Sequence, residues 1–500
     1  MIKLRFSDHF IYRFFETLPG LSIWVSLLAV IIFSFVRPLW MVYFIIVFDI
    51  YWVLRVSYFA FYLIISWRRF RHSLTIDWQA ELEQKFPDWE KKINVVFLPL
   101  CNEGWEVVRS SLESLKKSSL SSKKILLVFS GEDRFLDNWL AIQKNISDNY
   151  QGVFLDLLFY THPFGLVDEI PGKGSNINYA EKEFRVYADK KKWDYKSIIV
   201  SVFDIDTVIH PQYFSHLTYM YCSHPRPERS SFQPLTLYNN NIWESPSVLR
   251  IMAFGTSFWI LFSLARLDNL VTFSSHSLSF QAIVDCGGHA KNIVSEDSRI
   301  FFQCWLRYDG DYEVTPLYIP VSMDTVREES LWKSLKNLYY QQRRWAWGSE
   351  HIPYLLWQFR KNKKISLREK MIKLFHEWEG KWSWGVVAIL ITIVGQLPLQ
   401  VIHFTGGSAG SSSLFFNAPF ILQFLMTLSM LGLMVSAILG MLVLPPKPNH
   451  YATHRYLYMV LQWVLLPFSL IFFSAIPCID AVTHLMFGRY LGFNVSVKKR

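Results

Sequence analysis

A chain of 500 residues with 51% hydrophobic and only 18% charged side chains is skewed toward membrane proteins and excludes one ordinary soluble domain. The net charge of +10 comes without a basic stripe interleaved with aromatics. Lys and Arg facing anionic lipid account for it, and no nucleic-acid partner is expected. The five cysteines are scattered without a CxxC pair, which argues against a disulfide frame or zinc site and fits a reducing compartment.

In chain order, Met1–Gly20 carries charge and lacks a small-residue cleavage site, so the first apolar run is expected to stay as an anchor. Leu21–Trp67 suits two spans of about 20 residues each, with Pro38 as the break between them. Trp67-Arg68-Arg69-Phe70-Arg71-His72 follows directly and belongs on the cytoplasmic side, which makes the polar middle of the chain cytoplasmic. That middle alternates. Strands are predicted at Ile93–Pro99, Lys124–Ser130, Val153–Tyr160 and Ser197–Phe203, and helices at Glu103–Lys117, Asp133–Lys144, Asn176–Lys190 and Ser295–Leu306. Such alternation implies βαβ units and a mostly parallel sheet, with ligands at the carboxyl ends of the strands. An amphipathic stretch, Glu328–Tyr340, precedes apolar runs near Trp384–Phe404, Pro419–Leu444 and Tyr456–Ile476. The uncharged loop Gly406–Ser413 reads as the far side of the membrane. Three C-terminal spans would then leave Lys498-Lys499-Arg500 outside, against the charge rule, unless the last run re-enters near Pro467 and Pro477 or a further span exists. The predicted division is 1–20 cytoplasmic, 21–67 a transmembrane hairpin, 68–92 a linker, 93–327 the catalytic domain, 328–382 interfacial helices, 383–480 transmembrane helices and 481–500 a basic tail.

The candidate functional residues cluster where the predicted strands end. Asn102-Glu103 follow the first, Glu132-Asp133 the second and Asp204-Ile205-Asp206 the fourth. In an extended segment residues i and i+2 share a face, so Asp204 and Asp206 lie side by side. Two adjacent carboxylates suit a hard cation such as Mg²⁺ or Mn²⁺ shared with phosphate oxygens, although two solvated surface acids would read the same way. Lys173, between Gly172 and Gly174 at a helix start, suits phosphate but equally a simple turn. Glu296-Asp297 opens a helix, where acids cap, and a carboxylate there also suits a general base acting on a hydroxyl. Gln341-Gln342-Arg343-Arg344-Trp345 reads either as an interfacial belt or as a platform in which Trp stacks on a sugar and Arg neutralises a diphosphate.

In this order the motifs resemble those of membrane-integrated family-2 glycosyltransferases, the group that includes cellulose, chitin and hyaluronan synthases and glucosylceramide synthase. The matching residues are Pro99–Glu103 for P-x-x-N-E, Glu132 or Asp133 for the second-strand acid, and Lys173–Asn178 for K-x-x-x-L-N with Ile177 in place of Leu. Asp204–Asp206 matches DxD, Ser295–Asp297 matches [TS]-E-D, and Gln341, Arg344 and Trp345 match QxxRW. The resemblance covers roughly residues 93 to 347 and the flanking spans. It implies a GT-A fold, a Rossmann-like nucleotide-sugar-binding α/β domain, inserted between N- and C-terminal transmembrane helices. It also implies a nucleotide-sugar donor, usually UDP-linked, a glycan or lipid acceptor, and inversion at the anomeric carbon. Asn102, Glu103 and the acid at Glu132 or Asp133 would hold the base and ribose. Lys173, Asn178 and Asp204 would hold the nucleotide, Asp206 with Asp204 the metal, and Asp297 beside Glu296 would take the acceptor proton. Gln341, Arg344 and Trp345 would cover the diphosphate and shape the acceptor site. Two departures stand out. Ser130-Gly131-Glu132-Asp133 replaces the common Asp-Asp-Gly-Ser, and His289 follows Gly287-Gly288 where the family has Phe. Processive polymer synthesis and single transfer to a lipid are both compatible with these residues. From another class, so is an inactive membrane scaffold or transporter.

Overall fold

The protein is described by a computed structural model that covers residues 6–405 and 413–492. The expectations placed on Gly406–Ser413 and Lys498-Lys499-Arg500 fall almost wholly outside the described residues.

Eight strands form one mixed sheet: β1 Ile93–Pro99, β2 Ile125–Glu132, β3 Asp156–His162, β4 Ile198–Val202, β5 Val208–Ile209, β6 Ser230–Leu237, β7 Ser277–Ser279 and β8 Glu313–Ser322. Their spatial order is β3-β2-β1-β4-β7-β6-β8-β5. The first four strands of that order are parallel, with Phe97 paired to Val202 on one side and Leu98 to Phe129 on the other. β7 then runs antiparallel between β4 and β6. The chain winds outward from β1 to β3 and returns to β4. The reversal point therefore lies between the carboxyl ends of β1 and β4, the crevice where open α/β sheets hold ligands.

Alternation explains why this sheet is covered on both faces. Val95 and Phe97 pack with Ile177, Ala180 and Phe184 of helix Lys173–Lys191. Val96 and Leu98 point the other way, into a core with Val108, Leu112 and Trp139 from helices Trp105–Lys116 and Leu136–Tyr150. Each of these core residues is essentially inaccessible, and a buried aliphatic or aromatic side chain contributes about 1.5–3 kcal/mol.

Among the described residues six helical segments are long and apolar enough to cross a membrane: Asp8–Val36, Pro38–Ser73, Ser247–Leu264, Leu367–Thr405, Ser413–Leu442 and Arg455–Met486. Pro38 does separate the first two, sitting at the start of its helix, where a missing N–H costs nothing. Ser247–Leu264 lies inside the stretch read from sequence as polar. It is largely buried, and its Phe254 and Phe258 stack on Trp463 of the last apolar segment, with ring centroids 6.1 and 6.2 Å apart. The first and last segments close a separate apolar core in which Ile23 and Leu27 meet Ala481, Val482 and Leu485. The outward faces carry Trp40, Val47, Leu54, Phe420, Phe424 and Val464, an apolar surface of the kind that hydrocarbon covers.

Candidate active site

Lys173 is the hub of the site. It begins helix Lys173–Lys191, and its Nζ donates to Asp297 Oδ1 and Oδ2 at 2.9 and 2.8 Å and lies 2.7 Å from Asp204 Oδ1. Burial opposes its charge, but Asp204 and Asp297 outweigh burial and raise its pKa, so the ammonium is held protonated. Gly174 lets this helix end come close: a Cβ there would stand 2.6 Å from the Ala290 carbonyl oxygen and 3.1 Å from Glu296 Cβ.

Asp204-Ile205-Asp206 follows the end of β4 not as the extended segment expected but as a turn, closed by the Thr207 N–H on the Asp204 carbonyl at 2.9 Å. Ile205 is buried in the core, and the two acids flank it. Asp204 Oδ2 accepts the Ser274 hydroxyl at 2.9 Å. Asp206 is 1% exposed, and its Oδ2 accepts the Asp324 backbone N–H at 2.8 Å. Among the described residues no group of three or more His, Cys, Asp or Glu side chains converges on one point. Asp204 and Asp206 offer hard carboxylate oxygens that fit Mg²⁺ or Mn²⁺ once a ligand such as a diphosphate adds its own.

Glu296 and Asp297 open helix Glu296–Arg307. The Thr272 hydroxyl donates to the Asp297 carbonyl at 2.6 Å. Glu296 is 3% exposed, and its Oε2 has no hydrogen-bond partner. Burial, and then the neighbouring Asp297, push its pKa up to about 7, against the pull of Lys173 and Arg344. Two acids in sequence thus differ in environment: one pairs with an ammonium, the other is enclosed and titrates near neutrality.

Behind Asp297 runs a buried chain that the sequence reading did not identify. His276 Nδ1 faces the Phe273 carbonyl at 2.9 Å and Asp297 Oδ1 at 3.7 Å. Its Nε2 lies 3.1 Å from His289 Nε2, and His289 Nδ1 lies 2.5 Å from Glu181 Oε1. A carbonyl can only accept, so His276 carries its proton on Nδ1 and turns a lone pair toward His289. Burial holds His276 neutral, with its pKa lowered to about 3. Burial works against charge on His289 too, but the Glu181 carboxylate outweighs it and raises the pKa. His289 is the residue that stands where the resembled family has Phe, and that departure was the signal.

Helix Leu331–Ala346 presents Gln341, Arg344 and Trp345 on one face, three and four residues apart. Trp345 packs against Tyr238 with ring centroids 5.7 Å apart. Arg343 points away and pairs with Asp480 at 3.0 Å. The two adjacent arginines therefore separate into one that braces the helix and one that faces the site.

Glu103, Glu132, Lys173, Asp204, Asp206, Glu296, Asp297, Gln341, Arg344 and Trp345 all line one cavity of about 1010 Å³. Asn176 shapes its rim by donating from Nδ2 to the Leu100 and Ser130 carbonyls at 3.2 and 2.7 Å, which ties the ends of β1 and β2 together. Three residues expected at the site do not line this cavity. Asn102 and Asp133 are exposed, and Asn178 instead donates to the His289 carbonyl at 2.7 Å. Of the second-strand acids it is buried Glu132, paired with Arg134, that faces inward.

No protein-family profile matches the chain, and no curated protein sequence does. Solved structures with a similar chain path include a mannosyltransferase from Pyrobaculum calidifontis in complex with GDP-Man and Mn²⁺, at 12% identity and TM-score 0.43, covering 79% of this chain and 99% of that one. Residues 1–349 of S. aureus TarS in complex with UDP-GlcNAc are similar at 13% identity and TM-score 0.39, covering 69% of this chain and 90% of that one.

Proposed function

We propose that this chain is a membrane-integrated, inverting glycosyltransferase of the GT-A type. It would move a sugar from a nucleotide-diphosphate sugar, UDP-linked in the first instance, to a hydroxyl of a glycan or lipid acceptor. The catalytic domain would face the cytoplasm. One observation carries the reading: Lys173 joins Asp204 of the DxD motif to Asp297 of the Ser-Glu-Asp motif within a single cavity. Solvated surface acids on an inactive scaffold have no reason to converge on one buried ammonium.

The chemistry follows from charge. The bond between the anomeric carbon and the diphosphate oxygen breaks with its electrons going to the diphosphate. The acceptor oxygen forms the new bond from the opposite face, and its proton passes to Asp297. Lys173 and Arg344 are placed to neutralise the leaving group. A bound Mg²⁺ or Mn²⁺, held by Asp206 with Asp204, would supply Lewis-acid charge to the diphosphate oxygens. Glu103 and Glu132 stand at the ends of β1 and β2, where the ribose and base of the donor would lie. The donor's diphosphate competes with Asp297 for Lys173. Donor binding therefore draws the ammonium away and frees the carboxylate for the acceptor hydroxyl.

Calorimetric titration of the purified full chain with UDP and Mn²⁺ tests this. Metal-dependent binding is the expected result, and an inactive scaffold gives no heat.

A further inference from the structure

The cavity does not end at the acids. Its lining also includes a charged belt, in which Arg55 pairs with Glu379 at 2.7 Å and to which Arg266, His376 and Lys381 belong. Along the segment Leu367–Thr405 the lining changes from His376, Glu379 and Lys381 to Ala388 and Ile391, and Val56, Leu425, Met426 and Leu470 add further aliphatic side chains. These residues belong to segments long and apolar enough to cross a membrane. Two π-helical turns, Leu390–Val394 and Ile471–Ala475, interrupt those segments, and Ile391, Thr392 and Ser474 from them reach the wall. Such turns recur at functional sites because they widen a helix locally. Asp49 Oδ1 and Trp52 Nε1, buried and without hydrogen-bond partners, belong to residues that line the same wall.

We propose that the acceptor is a membrane lipid with a hydroxyl-bearing headgroup, glycosylated once per encounter rather than extended into a polymer. This rests on the glycosyl-transfer reading of the site. The headgroup lies between Asp297 and the Arg55–Glu379 belt, and the hydrocarbon lies against the aliphatic wall. A single cavity lined by acids, by a charged belt and by hydrocarbon from membrane-length segments matches an amphiphile. It does not match a glycan strand. A saccharide laid against Ile391 and Met426 would turn part of its dense hydroxyl surface to hydrocarbon, at about 1–3 kcal/mol for each group left without a partner. A lipid tail meets no such penalty there, and Asp49 and Trp52, on the helix that carries Arg55, offer polar atoms to a headgroup.

The test uses the full chain in phosphatidylcholine nanodiscs with Mn²⁺ and radiolabelled UDP-glucose, UDP-galactose, UDP-GlcNAc and GDP-mannose in separate reactions. One arm carries a monohexosyl lipid in the disc, one has phosphatidylcholine alone, and one adds a soluble oligosaccharide. The expected result is label in the organic phase in the first arm only, as a single added sugar. In that arm Ile391→Trp and Met426→Trp, which fill the aliphatic end, lower transfer by about tenfold or more. UDP titration reports on the folding of both variants. Label in water-soluble chains, or released only as free sugar while the lipid is present, overturns the lipid proposal and leaves glycosyl transfer standing. Absence of UDP and GDP binding removes the glycosyl-transfer reading itself, and the lipid proposal with it. Equal lipid transfer by wild type and both tryptophan variants places the lipid elsewhere and overturns the proposal.

Discussion

The Lys173 ammonium and the Asp297 carboxylate are 124 residues apart in sequence and 2.8 Å apart in space. The contact joins the start of one helix to the start of another, across the crevice where β1 and β4 diverge. On the proposed reading it brings the cation for a phosphate and the base for a hydroxyl to one point, where each depends on the other.

The first expectation follows from that pair. Asp297→Asn keeps shape and hydrogen-bonding capacity but removes the proton acceptor. Turnover is expected to fall by about 10²-fold or more, with donor affinity retained. Steady-state transfer and calorimetric donor binding, measured on the same preparation, decide it. Undiminished transfer takes Asp297 out of the mechanism.

Removal of divalent metal is the second. On the proposed reading Asp204 and Asp206 would supply two hard carboxylates to the metal and the donor's diphosphate would supply the rest. Treatment with EDTA is expected to abolish transfer, and Mg²⁺ or Mn²⁺ to restore it. Transfer that persists in EDTA refutes the metal role and leaves Lys173 and Arg344 as the cations at the diphosphate.

Gly174 provides a steric test. A methyl group there meets the Ala290 carbonyl oxygen at 2.6 Å, so the helix carrying Lys173 must shift. Gly174→Ala is expected to cost about 1–3 kcal/mol and lower the Tm. It should also weaken UDP binding, because Lys173 moves with its helix. Unchanged melting and unchanged affinity together would show that the close approach is not needed.

The buried Glu181–His289 pair invites a double-mutant cycle. His289→Phe removes the imidazole whose Nδ1 lies 2.5 Å from Glu181 Oε1, while the His289 backbone N–H still donates to Glu181 Oε2 at 2.9 Å. Leaving a buried carboxylate without its charge partner is expected to cost about 3–5 kcal/mol. Adding Glu181→Leu should recover a substantial part of that loss, because the stranded charge is gone. Denaturant melts of the two single variants and the double variant measure the coupling, and strict additivity would dissolve the pair.

His216 sets a pH dependence of stability. It is buried against Trp78, with ring centroids 4.1 Å apart, and burial lowers its pKa to about 3. An unfolded histidine takes up a proton below about pH 6.5, and the folded one does not until about pH 3. The stability it contributes is therefore complete above pH 6.5 and declines as pH falls through that window. At about pH 5 the loss is roughly 2 kcal/mol from this residue. Tm measured from about pH 7.5 down to pH 5 should fall, and His216→Phe should flatten part of that slope. An identical slope in the variant assigns the effect to other groups.

Much of the scaffold was legible from local pattern. The strand Ile93–Pro99 occurs with its predicted bounds, and the break falls at Pro38, which takes the first position of its helix, where proline is best tolerated. The alternation of Val95 and Phe97 with Val96 and Leu98 was enough to require cover on both faces. Helix Lys173–Lys191 begins three residues before the predicted Asn176, since Gly172-Lys173-Gly174 reads equally as a turn by propensity. The helix Ser247–Leu264 went unrecognised because it lies in a polar surrounding sequence, and it is the stack of Phe254 and Phe258 on Trp463 that holds it in place.

Sequence by itself determined the kinds of groups and their order: acids at strand ends, one lysine at a helix start, an arginine and a tryptophan sharing a helix face, and hydrocarbon on either side. These follow from local periodicity, which acts over a few residues. Only tertiary structure decided that Glu132 rather than Asp133 turns inward, that Asn178 braces the His289 loop instead of lining the cavity, and that Lys173 stands between Asp204 and Asp297. Those outcomes depend on how the ends of β1, β2 and β4 meet two helix starts across a crevice. Side-chain direction at such a junction is set by long-range packing and by the energy of burying charge, neither of which leaves a trace in residue spacing.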